Sequence, residues 1–170
     1  SKPRVNLTEV EGGLKPSAQH EVIAKEVAGL LESTSYKKVQ LNDSISNIVF
    51  DNLIKSLDQG KNYLLQSDID EFQQYRNTLG QDFRKGDLSA PFHIFNVYAK
   101  RYLERIQYAL TQVDVKQDFT IDESYLPSRE KLGWFKSVTE ADTQWKHRVK
   151  YDLLNLEMTT VNKTDSTANK

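Results

Sequence analysis

Cysteine is absent from these 170 residues, and with it go disulfides, thiolate zinc centres, iron–sulfur ligation and cysteine nucleophiles. The absence suits an oxidising envelope and a reducing cytosol alike, so it leaves the compartment open. Turn formers are scarce, with 4 Pro and 7 Gly, too few for a many-stranded β protein. No run reaches the roughly 18 consecutive apolar residues that a membrane span needs. The residues from Ser1 onward lack the apolar stretch of a signal peptide, which predicts either a cytosolic chain or one whose export signal lies outside this sequence. Neither sign of charge dominates: the formal net charge is -1 and the pI about 6.3. A broad field for a nucleic-acid backbone or an acidic membrane is thereby excluded.

What is present is a helix-forming composition. Hydrophobic residues make up 38% and charged residues 28%, enough apolar matter for one core at this length. Residues 1–16, with two prolines and Gly12-Gly13, read as a flexible leader. From Ser17, Ile23, Val27, Leu30 and Leu31 form a helical stripe ending near Ser33. A second helix is expected from Asn42 or Asp43, burying Ile45, Ile48, Val49, Leu53 and Leu57 and stopping at Gly60.

A third helix opens at Ser67 with Asp70 reaching back, and runs through Phe72, Tyr75 and Leu79 to a cap at Gly80. Pro91 suits the first turn of a fourth and longest helix, whose stripe is Phe95, Ala99, Tyr102, Ile106, Ala109 and Val113. Between Asp114 and Val138 the pattern fails, apart from a brief strand-like alternation at Phe119 and Ile121. Thr139 and Asp142 open a last helix carrying Ala141, Trp145, Val149 and Leu153, and after Leu156 the sequence turns polar, as a tail or linker does. The expected architecture is all-α: a single domain of about five helices over 17–156, with flexible termini at 1–16 and 157–170.

Chemistry is hard to place on this pattern. His20, His93 and His147 fall on separate predicted helices, and none stands beside a glycine-flanked serine, so no nucleophile elbow or triad is legible. Asp68, Asp70 and Glu71 put three acids in one helical turn, but acids there complement the helix dipole before they hold a metal. A calcium loop beginning at Asp58 fails because Tyr63 stands where glycine is required. The stretch Tyr98–Tyr108, with Lys100, Arg101 and Arg105 among aromatics, can be read as a nucleic-acid surface or as a packed helix with a solvated face; the second fits better. Predicted catalytic, metal and cofactor-binding residues are therefore none. Arg101, Arg105, Trp134, Phe135 and Trp145 are the candidates for contact with a neighbouring domain or partner.

A set of residues spread along the chain carries a resemblance. They are Phe50-Asp51, Leu57-Asp58, Lys61, Tyr63-Leu64-Leu65, Ser67-Asp68, Phe72, Leu79-Gly80, Arg101 and Arg105 with Tyr108, Arg129, Trp134, Trp145, Lys150 and Leu154-Asn155-Leu156. In order and spacing they resemble the N-terminal domain of the tail-specific, C-terminal processing serine proteases. The resemblance implies a periplasmic enzyme in which such a domain precedes a PDZ domain and a catalytic domain with a serine–lysine dyad, without metal or organic cofactor. Its partners would be those downstream domains, protein substrates and an adaptor protein, with no nucleic acid and no transmembrane segment. The family's serine motif finds no counterpart, since Ser89-Ala90-Pro91 opens a helix and lacks the flanking glycines. The segment is thus expected to be a non-catalytic accessory domain, the alternative being a stand-alone helical interaction module.

Overall fold

The computed structural model describes residues 43–121, 125 and 128–168; the predicted leader and first helix, with His20 and Asn42, lie outside them. The described residues form five α-helices: α1 (Asp43–Asp58), α2 (Gln66–Phe72), α3 (Leu79–Lys85), α4 (Ser89–Val113) and α5 (Val138–Ala168). A single 3₁₀ turn, Gln73–Tyr75, lies directly after α2. Among the described residues the sole β pairing is one isolated parallel bridge between Leu65 and Phe135. The all-α expectation holds.

Two apolar clusters build the interior. The larger joins Phe50 and Ile54 of α1, Leu64, Ile69 and Phe72, Leu79 of α3, and Ala90 and Ile94 of α4. The smaller joins Leu65, Phe135, Ala141 and Trp145, with Tyr63, Tyr108 and Ala109 against it. Helix α1 packs on α3, and α4 on α5.

The buried stripe of α1 differs from the hydrophobic one in the sequence. Ser46, Phe50, Ile54 and Asp58 are buried at successive four-residue steps, whereas Ile48 is exposed. Two polar side chains enter the core because each has partners there: the Ser46 hydroxyl accepts the Gly80 N–H at 2.6 Å, and the Asp58 carboxylate accepts amides of the chain just beyond α1. Gly80 is accordingly no C-terminal cap. It lies inside α3, buried where α1 crosses, and the cap is Gly86, which takes the left-handed conformation with φ 75°.

The predicted third helix is two helices with a bend between them. Helix α2 begins one residue early: the Leu65 N–H donates to Asp68 Oδ2 at 2.9 Å, so Asp68 does the work expected of Ser67 and Asp70. Helix α5 likewise opens on Ser137, whose hydroxyl accepts the Glu140 N–H at 3.1 Å, while Glu140 reaches back to the Lys136 N–H at 2.8 Å. Thr139 and Asp142 are inside the helix, and Asp142 is turned to Arg105. Nor does the helix stop at Leu156; it runs on to Ala168, because Thr159, Thr160 and Thr164 return their hydroxyls to carbonyls of the preceding turn. Phe119 and Ile121 form no strand, and Asp118 instead closes a turn on the N–H and hydroxyl of Thr120.

Helix α4 runs over the predicted span with Pro91 in its first turn. Asp87 precedes it and accepts both the N–H and the hydroxyl of Ser89. Those hydrogen bonds hold the Asp87 carboxyl below its ordinary value of 3.8. A group lowered on folding stabilises the fold above its unfolded value and loses that contribution as pH falls through the folded one. Asp87→Ala should therefore cost about 1 kcal/mol at neutral pH and progressively less in acid, read from urea midpoints across pH. In the core, Phe72→Ala should cost about 3–5 kcal/mol by the same measurement.

Candidate functional site

The chain between α1 and α2, residues 59–65, is where the two clusters meet. Asp58 ends α1 with its carboxylate turned inward, 3% exposed, and accepts three backbone N–H groups: Asn62 at 2.8 Å, Tyr63 at 3.0 Å and Leu64 at 2.9 Å. Three amide donors on one buried carboxylate compensate its lost hydration. The tight path requires Lys61 to adopt φ 53°, a conformation uncommon outside glycine. At Gly60 an added Cβ would come within 2.5 Å of the Asn62 amide nitrogen.

Held this way, the segment leaves the turn extended, and successive side chains point to opposite sides. Leu64 enters the larger cluster and Leu65 the smaller. The Gln66 N–H then donates to the Phe135 carbonyl at 2.7 Å, which completes the parallel bridge.

Side chains from distant elements close around this loop. The Trp145 indole N–H donates to the Asn62 carbonyl at 2.8 Å. Arg129, buried, donates to the carbonyls of Lys61 and Gly133 and stacks its guanidinium 4.1 Å from the Phe135 ring. Lys61 returns Nζ to the Leu132 carbonyl at 2.6 Å and lies over Trp134. Tyr63 sits among Tyr98, Tyr102 and Trp145, with ring centroids 5.2–5.7 Å away. Burial raises the Tyr63 phenol above its ordinary value, partly opposed by the neighbouring Arg148 guanidinium.

Arg101 clamps the start of α2 to α4 with two hydrogen bonds to Asp68, Nε to Oδ2 at 2.8 Å and Nη2 to Oδ1 at 3.0 Å. Those bonds hold its guanidinium above its already high value. One turn on, Arg105 Nη1 lies 2.7 Å from Asp142 of α5. Of the five predicted contact residues, Arg105, Phe135 and Trp145 are buried within this chain. Arg101 keeps about a fifth of its side chain exposed, and Trp134 is half-buried against the larger cluster. All five surround the loop, together with Asp58 and Arg129, whose roles lay concealed in the sequence because a carboxylate and a guanidinium do not read as core.

Groups capable of chemistry elsewhere have structural partners. His93 Nε2 is 2.8 Å from Glu71, the Ser89 hydroxyl is bonded to Asp87, and Asp70 accepts from Gln66. Among the described residues no cluster of three His, Cys, Asp or Glu has metal-site geometry. No described helix is long and apolar enough to cross a membrane.

The resemblance residues thus converge on one loop instead of scattering over the surface, and comparison with known proteins accounts for that. Residues 27–170 match the family described as the tail specific protease N-terminal domain. The chain belongs to that family. It is also 37% identical over 143 residues to the tail-specific protease of Haemophilus influenzae, a match covering 84% of this chain. The match covers 21% of that protein, so this tail-specific protease N-terminal domain spans about a fifth of the relative's length. Its family-marking residues Asp58, Lys61, Tyr63, Leu64, Leu65, Asp68, Arg101, Arg129 and Trp145 are those that bond to the loop or pack on it.

Asp58→Asn should destabilise the domain by about 2–3 kcal/mol, since an amide turns a donor toward N–H groups that need an acceptor. Trp145→Phe should cost about 1–2 kcal/mol by leaving the Asn62 carbonyl without its indole partner. Chemical denaturation of the two variants checks both values.

Proposed function

We propose that this chain is the non-catalytic N-terminal accessory domain of a periplasmic C-terminal processing serine endopeptidase, the main observation being the family match over 27–170 together with coverage of only a fifth of a protease relative. In this reading the serine–lysine dyad and a PDZ domain reside on other parts of the parent, which degrades proteins recognised by their C-terminal tails. The body of the domain is residues 17–156, and residues 157–170 connect it to the parent's remaining domains. Its work is to hold a rigid surface against the catalytic parts and to shape the approach of protein substrates and an adaptor.

The rigid loop supports such a role, because a surface that docks reproducibly must not rearrange. Of the five contact candidates, we assign Trp134 and Arg101 to touch a neighbour, and Arg105, Phe135 and Trp145 to keep the surface in shape. At the end of the body and beyond it, α5 presents Leu156, Met158 and Val161, each more than half exposed, as the apolar positions of the connector.

The isolated chain should release no product from a peptide with an apolar C-terminal tail, followed by mass spectrometry; turnover by the chain alone, surviving replacement of Ser89 and of all three histidines, sinks the accessory reading. In the full-length parent, Met158→Asp with Val161→Asp should lower cleavage of a tailed substrate about tenfold, while the melting temperature of the isolated chain stays unchanged. Undiminished cleavage would mean that the connector is not a docking element.

A further inference from the structure

The longest predicted helix, α4, carries two apolar faces, and the described residues fill only one. Ala90, Ile94 and Arg105 are buried, the side turned to the clusters. At about 100° per residue, Phe95, Ala99, Tyr102, Ile106 and Val113 lie roughly a third of a turn away, spaced four, three, four and seven. That is the a/d seam of paired helices. Phe95 is 38% exposed, Tyr102 41% and Val113 49%, and Phe95, Tyr98, Ala99, Tyr102 and Leu103 line a hollow of about 400 Å³. A seam regular over five turns, left this open, calls for a helical occupant.

We propose that this seam is the seat of the chain's own segment 17–33. That segment has Ile23, Val27 and Leu30 at the same four–three spacing, with Leu31 beside them. As a helix, its 17 residues would extend about 25 Å, against about 27 Å from Phe95 to Val113. The family match begins at residue 27, so Val27, Leu30 and Leu31 belong to the same domain as α4. Residues 34–42, nine in all, can reach about 30 Å when extended, which spans the distance to the start of α1 without strain. The occupant is thus intramolecular: a strap across the face of α4 opposite the loop's clamps.

Hydrogen exchange on the whole 170-residue chain tests the assignment. Amides of residues 22–31 should exchange at least about tenfold more slowly than in the free peptide of that sequence. Phe95→Asp with Leu103→Asp should abolish that protection and leave the amides of α1 and α2 protected. Three results overturn the assignment: amides 22–31 that exchange as freely as the peptide, protection indifferent to the two substitutions, or a concentration-dependent dimer that the substitutions abolish, which would make a second copy the occupant. If the double substitution unfolds the chain, Val27→Cys with Ala99→Cys decides, since the sequence contains no other thiol. A disulfide closed within one chain under mild oxidation supports the seat, and none under any oxidant overturns it.

Discussion

Everything near the centre of this domain depends on a buried carboxylate that has no cation for a partner among the described residues. Asp58 is matched by three backbone N–H groups, and that choice has structural consequences a salt bridge would not have. A cation on a long side chain can move with its acid. Backbone amides cannot, so satisfying the carboxylate fixes the path of the chain at residues 62–64. Because removing any one donor leaves a charge short of solvation in a low-dielectric setting, the turn and the core are bound to form together.

From that fixed turn, two adjacent leucines enter two different clusters. The clusters would otherwise be separate bodies, one made by α1 to α4 and the other by α4 and α5. Alternation along an extended backbone ties them with no more than the distance between neighbouring residues. The arginines do related work at longer range: Arg101 joins α4 to the start of α2, Arg105 joins α4 to α5, and Arg129 joins the connection before α5 to the loop. Each is a planar donor set on a reach of several bonds, suited to bridging elements that pack side by side.

The same physics decides how much of this is legible in the amino acids. Helix α4 and the first half of α5 are legible because proline, periodic apolar residues and length agree there. The exact buried face of α1 is not, since its stripe includes Ser46 and Asp58 and hydrophobicity alone prefers Ile48. Helix α2 is shifted because the cap is supplied by Asp68 acting on Leu65, a residue that gives no capping signal. The bend after Phe72 is invisible, as Tyr75 and Leu79 continue a helical spacing through it. The seam of α4 is recognisable as apolar, yet periodicity cannot say which partner meets which face. The five aromatic and arginine candidates draw attention for the right chemistry; what spacing cannot reveal is that they turn toward one loop.

The two tryptophans of the chain both stand against that loop, Trp145 bonded to it through Asn62 and Trp134 beneath the ammonium of Lys61. Indole emission depends on the polarity and charge around the ring. The domain therefore carries its own optical gauge: light emitted by either chromophore reports on the integrity of the turn from Asp58 to Leu64, and no foreign dye has to be introduced to follow it.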